Sequence, residues 1–176
     1  GAACKAIQAA EHVAAGMSVH PRAWDITFPD PFMQRCTSCK RCTEECPFGA
    51  IEEDEKGTPF FKINRCRRCG TCMGACPERI ISFKDFSVDQ IGSMLKSLDV
   101  PEIEDEDDPL APLRVIGLVC ENDAYPALDA AALHKLHLNP MIRFISLRCL
   151  GSFNMVWVSD ALSRGIDGMI LLGCKH

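Results

Sequence analysis

The feature that most restricts the fold of this chain is a cysteine motif that occurs twice, thirty residues apart. Each copy reads C-x2-C-x2-C-x3-C-P, which is the ligand spacing of bacterial [4Fe–4S] proteins. In such a motif the first three cysteines lie in one tight loop, whereas the fourth lies beyond a turn and reaches the other cluster. The spacing therefore predicts two cubes with crossed ligand sets. The first set is Cys36, Cys39, Cys42 and Cys76, and the second is Cys66, Cys69, Cys72 and Cys46.

Twelve cysteines in 176 residues could also serve disulfides or zinc. Disulfides are typical of secreted proteins, and nothing in this chain is secretory. Structural zinc sites pair two C-x2-C knuckles and need neither a third cysteine at this spacing nor a trailing Cys-Pro. A zinc-held scaffold without redox activity is nevertheless the alternative from a different functional class.

Basic residues lie between the ligands in both copies, as Lys40-Arg41 and Arg67-Arg68. One interpretation is that these are solvated loop charges. A second is that they favour the reduced state of the clusters, because reduction adds negative charge. A third is that they form a docking patch for an acidic partner.

Composition and periodicity divide the chain into four segments. An Ala-rich helix and a Pro-containing stretch occupy residues 1–30, the cysteine repeat occupies 31–86, and a short helix with an acidic linker occupies 87–112. Residues 113–176 alternate β-branched runs with helical stretches, which predicts a parallel sheet. The predicted fold class is an α+β two-cluster domain followed by a small α/β parallel-sheet domain.

Three further cysteines, Cys120, Cys149 and Cys174, follow the predicted strands of the last segment. The carboxyl ends of parallel strands meet at one edge of a sheet, where ligands commonly bind. We therefore expect these thiols to gather there as an incomplete iron–sulfur site. Burial of three unrelated core cysteines is the alternative.

These motifs resemble known families. Residues 32–85 look like a bacterial two-cluster ferredoxin domain, which implies two short hairpins, two short helices and one-electron transfer. Val119–Leu128, Arg148-Cys149 and the Gly173-Cys174 end resemble the delta subunits of methyl-viologen-reducing hydrogenases, a family associated with a [2Fe–2S] cluster. Members of that family carry a further cysteine downstream, so a [2Fe–2S] cluster is expected only in a full-length protein.

The order of the segments resembles the end of a heterodisulfide-reductase-A-like flavoprotein fused to such a delta domain. It is most similar to the B subunits of quinone-interacting membrane-bound oxidoreductase complexes of sulfate-reducing bacteria. The resemblance implies that residues 1–30 are the remnant of an upstream flavin domain. It further implies an electron-transfer module at the cytoplasmic face of a membrane, whose partners are a flavoprotein and a quinone-reactive membrane subunit. A relay subunit of a hydrogenase or heterodisulfide reductase complex is the alternative.

Several functions are disfavoured by the sequence. A formal charge of −5 disfavours nucleic acid as the main partner. No apolar run approaches the roughly 20 residues that cross a bilayer, so direct membrane insertion is not expected. No G-x-G-x-x-G motif, triad or catalytic carboxylate pair is visible, so neither FAD nor a catalytic site is predicted in this chain.

Overall fold

The computed structural model describes residues 26–27, 35–62, 64–83, 86–98, 114–139 and 141–174. The chain divides into two compact units, residues 1–87 and 88–176. The helix expected near the N-terminus and the acidic linker lie outside the described residues. Among the helices that the structure describes, none has the length and apolar character needed to span a bilayer.

The first unit consists of short elements around the cysteine repeat. Its elements are β1 (Ile26–Thr27), α1 (Arg41–Glu44), β2 (Ile51–Glu53), β3 (Pro59–Phe61), α2 (Thr71–Ala75) and β4 (Ser82–Phe83). β2 pairs with β3 and β1 pairs with β4, both antiparallel. These two pairs and two short helices agree with the ferredoxin-like fold. β1 lies within residues 1–30, and it joins this unit through its pairing with β4.

The sequence repeat is also a backbone repeat. Three pairs of equivalent positions have left-handed backbone: Ser38 and Arg68 (φ 52° and 55°), Lys40 and Gly70 (63° and 86°), and Gly49 and Arg79 (56° and 52°). The hydrogen bonds Gly49 N–H to Cys46 O and Arg79 N–H to Cys76 O are both 3.2 Å. Left-handed residues turn the chain sharply, so each cysteine loop curls back on itself.

An apolar layer supports these loops. Met73 in α2 is fully buried, and Ala50 and Ile51 after the first copy and Ile80 and Ile81 after the second are buried as well. The apolar pairs that follow each Cys-Pro therefore anchor the two loops in one core.

The second unit is built on a parallel sheet. Its elements are α3 (Val88–Lys96), β5 (Val115–Cys120), α4 (Ala124–Leu133), β6 (Ile142–Leu147), a 3₁₀ helix (Leu150–Ser152), α5 (Met155–Leu162) and β7 (Gly168–Leu172). The strand order is β6-β5-β7, and β5 is parallel to both neighbours. The predicted alternation of strands and helices is confirmed.

β5 lies at the centre of this sheet, and every residue from Ile116 to Cys120 is buried. A strand buried on both faces reads as a continuous apolar run, as β5 does. Gly117 is required because a Cβ there would lie 2.5 Å from a ring carbon of Phe144.

α3 contacts α5 within the second unit. The Trp157 indole N–H donates to the carbonyl of Val88 at 2.9 Å, and Lys96 pairs with Asp160 at 3.1 Å. The sequence placed this helix in a connecting segment, but its apolar side, with Val88, Ile91 and Leu95, is buried.

A bidentate ion pair joins the start of β5 to the residue before β7. Arg114 Nη2 and Nε lie 2.8 and 3.1 Å from the two carboxylate oxygens of Asp167, and the Arg114 backbone N–H also donates to it at 2.8 Å. Hydrogen bonds from the Arg114 side chain and backbone lower the pKa of Asp167 to about 2.

This pair predicts a pH-dependent stability. The unfolded carboxyl has a pKa near 3.9, so the stabilisation is present above about pH 4 and is lost as the pH falls through 2. Asp167 is 35% exposed, and solvent screening limits the effect. Asp167→Asn should cost about 1 kcal/mol of unfolding free energy at pH 7. Denaturant titrations from pH 7 to 2 should show that cost shrinking, while Asp129→Asn on exposed α4 changes stability little at any pH.

Candidate cluster cavities and thiol site

Four cysteines from both copies of the motif surround one cavity in the first unit. This cavity, here called cavity A, has a volume of about 410 Å³, is open to solvent, and is lined by Cys36, Cys39, Cys42 and Cys76. Three of these cysteines come from the first loop, and the fourth follows α2 in the second copy. The structure thus brings together the four cysteines that the spacing assigned to the first cube.

The other four cysteines surround a second cavity. Cavity B has a volume of about 290 Å³ and is lined by Cys46, Cys66, Cys69 and Cys72. Here three cysteines come from the second loop, and Cys46 follows α1 in the first copy. The membership of the two cavities is therefore crossed between the repeats.

Hydrogen-bond donors point at the sulfur atoms of cavity B. The backbone N–H of Ala50 donates to Cys46 Sγ and that of Arg68 to Cys66 Sγ, both at 3.4 Å. Thr71 Oγ1 lies 3.3 Å from Cys69 Sγ. In cavity A, Thr43 Oγ1 is buried and makes no hydrogen bond of standard geometry with the described residues. Such donors are the usual surroundings of cluster-ligating sulfur.

Three of the motif thiols resist ionisation when no metal is bound. Burial raises the pKa of Cys42, Cys66 and Cys72, and nearby cysteines contribute in the same direction. The adjacent Thr43 partly offsets the effect of burial on the pKa of Cys42. Iron binds the deprotonated thiolate, so metal uptake at these cavities must release protons and is favoured by higher pH.

The charged residues at the two cavities differ. Lys40 and Glu53 line cavity A and form an ion pair at 2.9 Å. The hydrogen bond and charge of Glu53 raise the pKa of Lys40. Arg67 and Arg68 line cavity B, and the Arg68 side chain is buried. The basic residues between the ligands thus lie at the cavities, except Arg41, which is exposed and is absent from both linings.

The donor sets fit [4Fe–4S] clusters. Four thiols surround each cavity, and sulfur-directed N–H and hydroxyl groups are already in place. Within the described ranges, no three His, Cys, Asp or Glu side chains are grouped tightly enough to hold a single metal ion.

The second unit brings Cys120 and Cys174 close together. Val119 pairs with Leu172, so Cys120 at the end of β5 lies beside the residues that follow β7, and each of the two thiols shifts the pKa of the other. Cys120 is fully buried, whereas Cys174 is exposed.

Cys149 lies in the neighbouring backbone, two residues after β6. The Asn122 side-chain amide donates to Arg148 O at 2.9 Å, which ties the segment after β5 to the one after β6. A Cβ on Gly173 would lie 2.9 Å from Leu150, which shows how closely the segments after β6 and β7 approach. The three cysteine-bearing segments therefore meet at one edge of the sheet.

Asn122 sets the electrostatics at Cys120. Burial opposes ionisation of the Cys120 thiol. Hydrogen bonds from the backbone N–H groups of Asn122 and Asp123 and from the Asn122 side chain outweigh burial, so the pKa of Cys120 is lowered. The Asn122 N–H lies 3.4 Å from Cys120 Sγ. Burial and the neighbouring Cys120 raise the pKa of Cys174. Only one thiol of the pair is thus favoured as thiolate.

Thr43, Thr71 and Asn122 were not predicted from the sequence as site residues. Each has a hydroxyl or amide side chain within two residues of a candidate ligand cysteine, and that proximity is the signal that could have identified them.

Two stretches of the chain match known protein families. Residues 35–81 match the family described as 4Fe-4S dicluster domain, and residues 115–176 match methyl-viologen-reducing hydrogenase, delta subunit. The chain is thus similar to a dicluster ferredoxin domain in one stretch and to a hydrogenase delta subunit in the other. The predicted resemblance to both families is thereby confirmed. None of the solved structures matches the chain significantly.

Curated relatives carry the same kind of domain within longer proteins. The A subunit of the ferredoxin:CoB-CoM heterodisulfide reductase of Methanosarcina mazei is 28% identical over 141 residues, which cover 80% of this chain and 17% of that protein. ArrB, the iron-sulfur subunit of the arsenate respiratory reductase of a Shewanella species, is 35% identical over 72 residues, covering 38% of this chain and 31% of the relative. The B subunit of the ion-translocating oxidoreductase complex of Methanosarcina acetivorans is 37% identical over 49 residues, which cover 28% of this chain and 18% of that protein. The chain thus spans between about a sixth and a third of these relatives' lengths.

Proposed function

We propose that this chain is an electron-transfer module of a larger oxidoreductase complex and carries two [4Fe–4S] clusters. The observation that carries the proposal is the pair of cavities, each lined by four cysteines drawn from both copies of the motif. The dicluster family match and the redox-complex relatives support it.

In this proposal, Cys36, Cys39, Cys42 and Cys76 hold one cluster, and Cys46, Cys66, Cys69 and Cys72 hold the other. A bound [4Fe–4S] cluster supplies a one-electron redox centre. The protein fixes the thiolates through the left-handed loops, shields them with the apolar layer around Met73, and directs N–H and hydroxyl donors at their sulfur atoms.

The finer proposal concerns the complex. We propose that the chain belongs to the B subunit of a quinone-interacting membrane-bound oxidoreductase, which passes electrons between a membrane quinone pool and cytoplasmic sulfur-metabolism enzymes. Its partners would be a flavoprotein and a quinone-reactive membrane subunit, and it would sit at the cytoplasmic face. Similarity to a heterodisulfide reductase subunit over 80% of the chain supports both this proposal and a relay subunit of a heterodisulfide reductase or hydrogenase complex. The identity of co-purified subunits distinguishes the two.

We also propose that Cys120, Cys149 and Cys174 contribute to a further iron–sulfur site, which is completed as a [2Fe–2S] site only in the full-length protein. The closeness of the Cys120 and Cys174 thiols and the convergence of the three segments support this. The Asn122 donors would then stabilise the Cys120 thiolate as a ligand.

Metal and sulfide analysis tests the main proposal. Anaerobically purified chain should contain about eight iron and eight acid-labile sulfide per molecule, because each cube holds four of each. The visible absorption of the two bound clusters should be bleached when dithionite reduces them. Zinc in place of iron would instead support the zinc-held scaffold. An iron content of about four per molecule would show that one of the two cavities holds no cluster. Iron above eight in the full-length protein, lost with Cys120→Ser, would support the third site.

A further inference from the structure

The side chains of Thr43 and Thr71 reach into the two cluster cavities, one in each. We propose that their hydroxyl groups donate hydrogen bonds to cluster sulfur and so raise the reduction potentials of the two clusters. This inference rests on the proposed function, because it concerns the surroundings of the same two cavities.

Thr71 is the first residue of α2 and lines cavity B. Its Oγ1 lies 3.3 Å from Cys69 Sγ, within hydrogen-bond range for sulfur. A cysteine that ligates iron has lost its proton, so its sulfur can only accept. The hydroxyl of Thr71 must then be the donor.

Thr43 lines cavity A from within α1. Its Oγ1 is buried and makes no hydrogen bond of standard geometry in the described part of the chain, although the side chain interacts with the adjacent Cys42. A buried hydroxyl without a well-formed hydrogen bond is costly, and it is rare unless a better acceptor is supplied from elsewhere. The acceptor that fits a cavity lined by four cysteines is cluster sulfur, either of Cys42 or within the cube.

The two threonines occupy different positions in the repeat. Thr71 precedes the third cysteine of its loop, whereas Thr43 follows the third cysteine of the other loop. The position equivalent to Thr71 is held by Arg41, and the one equivalent to Thr43 by Met73. The two threonines are therefore not equivalent positions of the repeat.

A hydroxyl near cluster sulfur acts on the redox equilibrium because reduction adds negative charge to the sulfur atoms. The hydrogen bond strengthens as that charge grows, so it favours the reduced state. A net hydrogen bond is worth up to about a factor of ten in an equilibrium constant. For a one-electron couple, a tenfold change corresponds to about 59 mV.

The test is protein-film voltammetry of the anaerobic chain with both clusters bound. Thr71→Val should lower the reduction potential of the cluster in cavity B by up to about 59 mV, which corresponds to a tenfold smaller equilibrium constant for reduction. Thr43→Val should lower the other, and the double variant should lower both. Thr71→Ser and Thr43→Ser keep the hydroxyl and should stay near the wild-type potentials. Ser93→Ala is the control, because Ser93 lies on the exposed side of α3 in neither cavity lining and its hydroxyl donates to Asp89 O; it should leave both potentials unchanged.

Iron content and the iron–sulfur stretching bands in resonance Raman spectra are read on the same samples. If a Val variant loses its cluster, the Ala variant at that position replaces it. Wild-type protein without iron–sulfur clusters would overturn the proposed function. Two intact clusters with unshifted potentials in the Val variants, or equal shifts in the Ser variants, would overturn this inference alone.

Discussion

Cys76→Ser should destroy or alter the cluster of cavity A and leave the cluster of cavity B close to normal. Cys76 stands in the second copy of the motif, yet it lines the cavity of Cys36, Cys39 and Cys42. Loss of one thiolate from a four-thiolate set should remove or convert that cluster. Iron should fall from about eight toward four per chain. Electron paramagnetic resonance of the reduced protein should then show one isolated cluster instead of two interacting clusters.

Cys46→Ser is the reciprocal variant, because Cys46 stands in the first copy and lines cavity B. It should spare the cluster that Cys76→Ser damages. The remaining signals of the two variants should therefore differ from each other, because each comes from a different isolated cluster. Damage confined to the cluster of the mutated cysteine's own repeat would refute the crossed arrangement.

The elements of this protein could be predicted from local patterns. The strand β5 was visible as a β-branched run, and α3 as apolar residues at helical spacing after Ser87. The cysteine spacing fixes which residues share a loop, because three thiols within seven residues cannot lie far apart. These features depend on residues that are close together in the sequence, so their pattern is visible before the chain folds.

Long-range pairing could not be read in the same way. The order β6-β5-β7 depends on which strands meet in space, and several orders are compatible with the same alternation of strands and helices. The two-residue strand β1 is too short to give a periodic signal. The packing of α3 on α5 depends on an indole hydrogen bond across 69 residues. The sulfur contacts of Thr43 and Thr71 likewise require the folded loops.

Trp157→Ala should cause the largest loss of stability in the second unit. Trp157 is fully buried and is the largest of the fully buried side chains that the structure describes. Its ring packs edge-to-face on Phe153, with centroids 6.1 Å apart. Truncation of a buried Trp typically costs about 3–5 kcal/mol, since it removes apolar contacts and leaves a cavity. Denaturant unfolding followed by far-UV circular dichroism should show this loss in the transition of this unit.

Two variants separate the causes of that loss. Trp157→Phe keeps an aromatic ring but removes the donor to Val88 O, so it should cost less than the Ala variant, about 1–3 kcal/mol. Leu133→Ala removes a large apolar side chain that is 84% exposed, and it should change stability by no more than about 0.5 kcal/mol. Hydrogen exchange gives a second readout, because amides of α3 should lose protection when the indole that holds Val88 is removed. Unchanged protection of α3 in Trp157→Ala, or a loss of stability no larger than that of Leu133→Ala, would show that this indole does not fix α3 to α5.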